Sequence, residues 1–218
     1  MKGITFLSGL LGVLITFGNL PVKAQVNSDG TTNTTVNLNN NNFTIINGIQ
    51  KGNNLFHSFK EFSIPTGGSV NFDNPTDVVN IINRVTGGNI YNIDGLIKAN
   101  GNANLFLINP AGIIFGENAS LDIGGSFLGT TAESILFEDG FNYSAINSEQ
   151  TPLLTVSVPL GLQMGQQSGA IEVNGSGHNL IGASPFSPLK RSQNNINLQV
   201  QPGKTLALVG GEITLNGA

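Results

Sequence analysis

Apolar and polar residues alternate along this chain in short runs that stop at glycine, asparagine or proline. One run recurs three times in the form Gly-x-Ile-x-apolar-Asn-Gly: GLIKANG at 95–101, GAIEVNG at 169–175 and GEITLNG at 211–217. Alternation at period two predicts a half-buried strand, and Asn-Gly supplies the positive φ of a tight corner. A strand-and-corner unit that recurs along a chain predicts a solenoid, in which each coil buries its apolar face only against its neighbours. Similar short strands are predicted at 43–48, 55–64, 69–72, 78–85, 89–93 and 119–123. The densest stretch is Leu105-Phe106-Leu107-Ile108, a turn at Asn109-Pro110-Ala111-Gly112, then Ile113-Ile114-Phe115. Runs apolar on both faces predict strands covered on both sides. A fainter parallel sets ASLDIGG at 119–125 beside LALVGG at 206–211.

The pattern breaks in three places. Residues 25–42 are so rich in Asn and Thr that 26–42 read as a low-complexity polar lead, with the ordered domain spanning 43–218. Because an open solenoid end exposes unpaired edges, the early strands after this lead are candidates for a cap. Between about 129 and 165 the Asn-Gly corners vanish and four acids appear (Glu133, Glu138, Asp139, Glu149). This predicts an excursion from the solenoid, a small antiparallel sheet on its flank, with 153–158 alternating cleanly before Pro159. Residues 184–195, with Pro185, Pro188 and the paired Lys190-Arg191, predict a surface loop. The third repeat places the last residues on an unfinished coil, as expected of a fragment or an unusually short form.

Composition sharpens this all-β picture. The 218 residues include 29 Gly and only 10% charged side chains against 39% apolar ones, with mean hydropathy +0.09. That is enough apolar content for a core, and abundant Asn suits amide ladders between stacked corners. A net charge of −4 and pI near 5.0 give no basic footprint for nucleic acid. Met1-Lys2, an apolar stretch over 4–20 and Val22-Lys23-Ala24 predict a secretory signal peptide over 1–24, cut between Ala24 and Gln25. The alternative, a membrane anchor, is opposed by Gly9, Gly12, Gly18 and Pro21. Cysteine is absent from the chain, which suits threading through a second membrane without covalent loops but equally suits a fold large enough to need no disulfides.

Candidate chemistry is sparse. Gly124-Gly125-Ser126-Phe127-Leu128 misses the nucleophile elbow at its last position, and His57 and His178 are the only histidines. Gly203-Lys204-Thr205 lacks the upstream glycine of a phosphate loop, and Asn92-x-Asp94-Gly95 lacks the first carboxylate of a calcium loop. No cofactor or metal is expected. A paired-carboxylate site of a polysaccharide-cleaving enzyme remains an alternative through Asp73 and Asp77, or Asp94 and Asp122, with Arg84 nearby.

The stretch NLFLINPAGIIFGENASLDIGGSFLGTTA at 104–132, with IINRVTGGNIYNIDGLIKANG at 81–101, resembles the filamentous haemagglutinin N-terminal domain, the secretion domain of two-partner secretion exoproteins. The likeness runs from about residue 42 to the C-terminus. It implies a right-handed parallel β-helix with an N-terminal cap and extra-helical β-hairpins or an antiparallel sheet. It also implies a non-enzymatic role: after export by the Sec machinery, recognition by an outer-membrane β-barrel transporter through its POTRA domains, then folding outside the cell. The family motif Asn-Pro-Asn-Gly-Ile falls on Asn109, Pro110, Ala111, Gly112 and Ile113, with Ala111 in place of the second Asn. A second motif falls more loosely on 80–85, implicating Asn80, Asn83, Arg84 and Val85. The first is read either as a transporter contact or as a coil corner. A cell-surface adhesin module binding a host glycan or protein is the other functional alternative.

Overall fold

The computed structural model describes residues 25–147, 154–177, 180–182, 184–188, 190–191 and 198–217. Its first strands are β1 (Gln25–Ser28), β2 (Thr34–Asn39), β3 (Asn42–Asn47), β4 (Ile49–Lys51), β5 (Asn54–Ser63), β6 (Ser69–Phe72) and β7 (Asn80–Val85). The middle of the chain forms β8 (Tyr91–Ile93), β9 (Leu96–Ala99), β10 (Asn104–Ile108), β11 (Ile113–Phe115), β12 (Ser120–Asp122) and β13 (Phe127–Thr130). Then follow β14 (Ser134–Phe137), β15 (Asn142–Ser144), β16 (Pro159–Gln163), β17 (Ala170–Asn174), β18 (Leu180–Ile181), β19 (Lys190–Arg191), β20 (Leu206–Val209) and β21 (Glu212–Asn216). Among the described residues there is no helix.

Three sheets wrap one core. The first runs β1-β5-β7-β10-β13-β20, the second β2-β3-β6-β9-β12 and the third β8-β11-β17-β21. The chain visits them in rotation, as in β7, β8, β9 and then β10, β11, β12, and successive coils pair in parallel. The molecule is therefore a parallel β-solenoid of about three turns. Register explains why these sequences suit it. Leu55, Ile81, Leu105, Phe127 and Leu206 stand in one column of the first sheet, and Phe43, Val70, Ile97 and Leu121 in one of the second. Each such side chain, once buried, contributes about 1.5–3 kcal/mol.

The strand starts on the first sheet carry an amide ladder. The Asn80 amide donates to Asn54 Oδ1 at 2.9 Å, and the Asn104 amide donates to Asn80 Oδ1 at 3.0 Å. The Ser126 backbone N–H then donates to Asn104 Oδ1 at 2.9 Å. The Asn216 amide repeats the arrangement on Asn174 at 3.1 Å.

The expected polar lead is overturned. Residues 25–42 hold β1 and β2, which run antiparallel to β5 and β3 and close the first coil together with β4. Composition misleads there because the inward positions of β2 include Thr34 rather than only apolar residues, and its buried hydroxyl is matched by Thr32 and His57. Two findings concern stacking. The segments 119–125 and 206–211 do not stack: β12 lies in the second sheet, and β20 pairs with β13 in the first. Only the second and third repeats are neighbours, with Ile171 opposite Ile213, while the first repeat lies in the second sheet. All three share one device: a Cβ on Gly95, Gly169 or Gly211 would come within 2.4 Å or less of a backbone oxygen of the preceding coil.

The excursion over 129–165 contains an antiparallel sheet, β15-β14-β16, laid on the outer face of the first sheet. There Ile135, Phe137 and Tyr143 cover Phe56, Ile82 and Ile108 in a second apolar core. Residues 154–158 stay out of strand because Thr155 and Ser157 carbonyls accept bonds from the Asn54 amide, so the strand begins at Pro159. Within 184–195, β19 pairs with β18 instead of forming loop throughout.

Candidate functional site

The two motifs singled out from the sequence lie side by side at one corner of successive coils. Arg84 near the end of β7 stands opposite Ile108 at the end of β10, and Asn109 follows at the corner. The Asn109 side chain is fully buried. Its amide donates to Asn89 O at 3.0 Å and Gly112 O at 2.6 Å, and its Oδ1 accepts the Ala111 N–H at 3.2 Å. Gly112 takes φ +133°, a conformation that favours glycine, and a Cβ there would stand 3.1 Å from Ala170 O. Pro110 O accepts from Gly169 N at 2.8 Å, and Ile113 packs in register between Tyr91 and Ile171. Pro110 and Ala111 are half-exposed, so they alone in this motif reach the surface.

The second motif points into the protein. Asn80 is a rung of the ladder, and Val85 is a core residue. Asn83 is buried, donates to Phe106 O at 2.9 Å and leaves its Oδ1 without a partner. Arg84 is 1% exposed. Its Nε donates to Ser58 Oγ at 2.8 Å, Nη1 to Ser144 O at 2.6 Å and Nη2 to Thr31 Oγ1 at 2.9 Å, while the guanidinium lies 4.7 Å from the Tyr143 ring centre. A buried cation needs compensation. It comes from these acceptors, the ring face and, one bond further, Asp29, which accepts from Ser58 Oγ at 2.5 Å and Thr31 Oγ1 at 2.8 Å.

Partial burial alone would raise the Asp29 carboxyl, but bonds from Ser58, Thr31 and Thr86 together hold it below its ordinary value. Burial pushes the Tyr143 hydroxyl up, opposed in part by the Arg84 charge. That hydroxyl donates to His57 O at 2.9 Å. The His57 ring lies inside the first coil beside Phe59 and Phe72, sharing a 2.9 Å bond with Thr34 Oγ1, and burial pushes its pKa down to about 3. Arg84 thus joins the N-terminal segment, the solenoid wall and the extra-helical sheet. Sequence reading missed Asp29, Thr31, Ser58 and Tyr143, because lone polar residues in unrelated segments leave no spacing signal.

Each of the carboxylates considered for catalysis is engaged by a neighbour. Asp73 accepts from Asn100, Asp77 from Gln50 and Asp94 from Asn118, while Asp122 forms a 3.0 Å ion pair with Lys98. Among the described residues no group of three or more His, Cys, Asp or Glu could hold a metal ion. Gln25 opens β1 opposite Ser63, whereas Ala24 and His178 lie outside the described residues.

A family model described as the TPS secretion domain matches residues 24–218. The chain belongs to the TPS secretion domain family. It is also similar, at 36% identity over 75 residues, to a heme/hemopexin-binding protein of Haemophilus influenzae. A second such protein, from strain Rd of that species, matches at 35% over 79 residues. These alignments cover 34% and 36% of this chain and 8% of each relative. As a TPS domain the chain belongs to a two-partner secretion exoprotein, exported across the outer membrane to the cell surface or the extracellular space.

Proposed function

We propose that this TPS domain, after Sec-dependent export, is recognised by the POTRA domains of its cognate β-barrel transporter and then seeds β-solenoid folding outside the cell. The capped first coil offers a finished template, and each later coil gains strand pairing and apolar burial against the one before. In this reading neither motif touches the transporter in the folded state. Asn109 and its neighbours hold the corner, and Arg84 locks the cap to the extra-helical sheet. The observation that carries this is the burial of Asn109 with its amide engaged at both ends.

The test is secretion in cells carrying the cognate transporter, paired with thermal unfolding of the same purified variants. Asn109→Ala is expected to lower secretion and stability together, while Ala111→Lys, at a half-exposed position, leaves both near wild type. Loss of secretion in Ala111→Lys with unchanged unfolding would assign this corner to direct contact instead. Deleting residues 42–132 is expected to trap the protein in the periplasm, and continued export of that variant would defeat the secretion reading.

A further inference from the structure

The extra-helical sheet is inserted late in the chain but lands early. It leaves the solenoid after β13 and reaches back across β10 and β7 to β5, where Ile108, Ile82 and Phe56 lie beneath it. Its anchors on β5 are specific. The Asn54 amide donates to Thr155 O at 3.3 Å and to Ser157 O at 2.8 Å, and the Tyr143 hydroxyl donates to His57 O at 2.9 Å. The Phe56 ring centre lies 5.1 Å from that of Tyr143 and 5.9 Å from that of Phe137. The same strand holds the N-terminal segment. β1 pairs with its second half, the Ser58 N–H donates to Thr32 Oγ1 at 3.1 Å, and the His57 ring bonds Thr34. Arg84 spans both sides, with Nη2 on Thr31 and Nη1 on Ser144 O. Among the described residues no hydrogen bond joins 25–39 to 134–163 directly, so the link runs through His57, Ser58 and Arg84.

The sheet is complete in itself and unevenly seated. β14 pairs with both β15 and β16, so these backbone bonds survive detachment from the solenoid wall. On one flank Ile135, Phe137 and Tyr143 fill the second core. On the other, a cavity of about 230 Å³ is lined by Leu160 and Leu162 of β16 and by Phe106 and Leu128 of the wall. An element with its own hydrogen bonds and one loose flank opens as a cooperative unit at less cost than global unfolding.

We infer that the extra-helical sheet is a strap with a docked and an undocked position, and that its docking and the closure of residues 25–39 over the first coil are one coupled event, transmitted by Arg84 and the His57–Ser58 stretch of β5. Undocking takes the Ser144 carbonyl and the Tyr143 ring face away from a buried cation, which then draws in water and loosens its hold on Thr31. Synthesis runs from the N-terminus, so residues 25–39 exist before the strap does. The first coil is therefore the first made, and it stays unfastened until β16 has joined. This checkpoint goes beyond the secretion reading and does not depend on any transporter.

Amide hydrogen exchange of the folded domain, read by peptide-resolved mass spectrometry, tests the coupling. Phe137→Leu loosens the apolar face of the strap without touching a polar group of the hub. It is expected to speed exchange by about fivefold or more in 134–145 and, at a distance, in 25–39, with β17 and β21 unchanged. Tyr143→Phe, which removes only the bond to His57 O, should act in the same direction more mildly. Coupling is reciprocal, so Thr31→Val should speed exchange in 134–145 by a similar factor. Leu38→Ser, in the same N-terminal segment but exposed and off the hub, is expected to leave the strap at its wild-type rate. Exchange that rises only in the segment carrying the substitution overturns the proposal. A uniform rise that includes β17 and β21, or an equal effect of Leu38→Ser on the strap, overturns it too. In urea unfolding, the combined Phe137→Leu and Thr31→Val variant should fall short of the product of the two single effects, and a simple product defeats the coupling.

Discussion

The first and last repeats place the same isoleucine in opposite circumstances. Ile97 of β9 is fully buried between Val70 and Leu121, whereas Ile213 of β21 is 46% exposed and Leu215 is 62% exposed. The local sequences are nearly interchangeable, so propensity does not separate them. The difference is neighbours: β9 has a coil on each side, and among the described residues β21 pairs only with β17. In a solenoid, then, a strand's contribution is set by its position in the stack and not by its own pattern. The N-terminal end escapes this penalty because three antiparallel strands and a buried polar hub close it.

The sharpest way to break the contrast is at that hub. Arg84→Met strands Ser58, Thr31 and the Ser144 carbonyl without their donor, and is expected to cost about 3–5 kcal/mol in urea unfolding. A loss below about 1 kcal/mol would mean that the cap holds without it. Next comes the repeat itself. Ile97→Ala and Ile171→Ala should each cost about 3 kcal/mol, against about 1 kcal/mol or less for Ile213→Ala. Equal costs for Ile97 and Ile213 would erase the distinction. Asn109→Ala, which removes a buried amide and its bonds to the Asn89 and Gly112 carbonyls, should cost about 2–3 kcal/mol.

The last expected effect comes from pH. The folded pKa of His57 lies near 3, below the ordinary 6.5, so the unfolded chain binds more protons between these values. Stability is then full above about pH 6.5 and falls as pH drops towards 3, by about 2 kcal/mol between pH 7 and 5. His57→Gln should flatten that stretch of the stability–pH curve, and an unchanged slope would place the acid sensitivity elsewhere. Asp29, whose folded pKa is lowered, loses its contribution only at lower pH, below the ordinary carboxylate value.

The solenoid was legible because its apolar columns repeat at period two and its corners are punctuated by Gly, Asn and Pro. β6, β10 and β11 lie close to where alternation predicts them. The antiparallel sheet was legible as a change of texture near Gly129, including the second apolar layer implied by Phe106 and Ile108. What escaped is that the cap begins inside the polar lead, because Thr32 and Thr34 are buried by hydrogen bonding and look like any polar tract. The stacking of the repeats escaped for a different reason. Glycines that permit close approach of two coils read alike on every face, so the motif announces a corner without naming which sheet it joins. The candidate site was only half visible: Asn109 and Arg84 stood out, but their inward orientation depends on partners far away in sequence.

That distance has a consequence for time. The acceptors of the Arg84 guanidinium sit at Thr31, Ser58 and Ser144, the last 60 residues downstream. No local fragment can satisfy the cation, and parallel coils likewise postpone every reward until a whole turn has closed. Chains dominated by such long-range contacts fold in milliseconds to seconds or more, where helical bundles need microseconds to milliseconds. A slow folder remains a pliable thread for longer after synthesis, and a thread is the form in which a chain passes through a narrow pore.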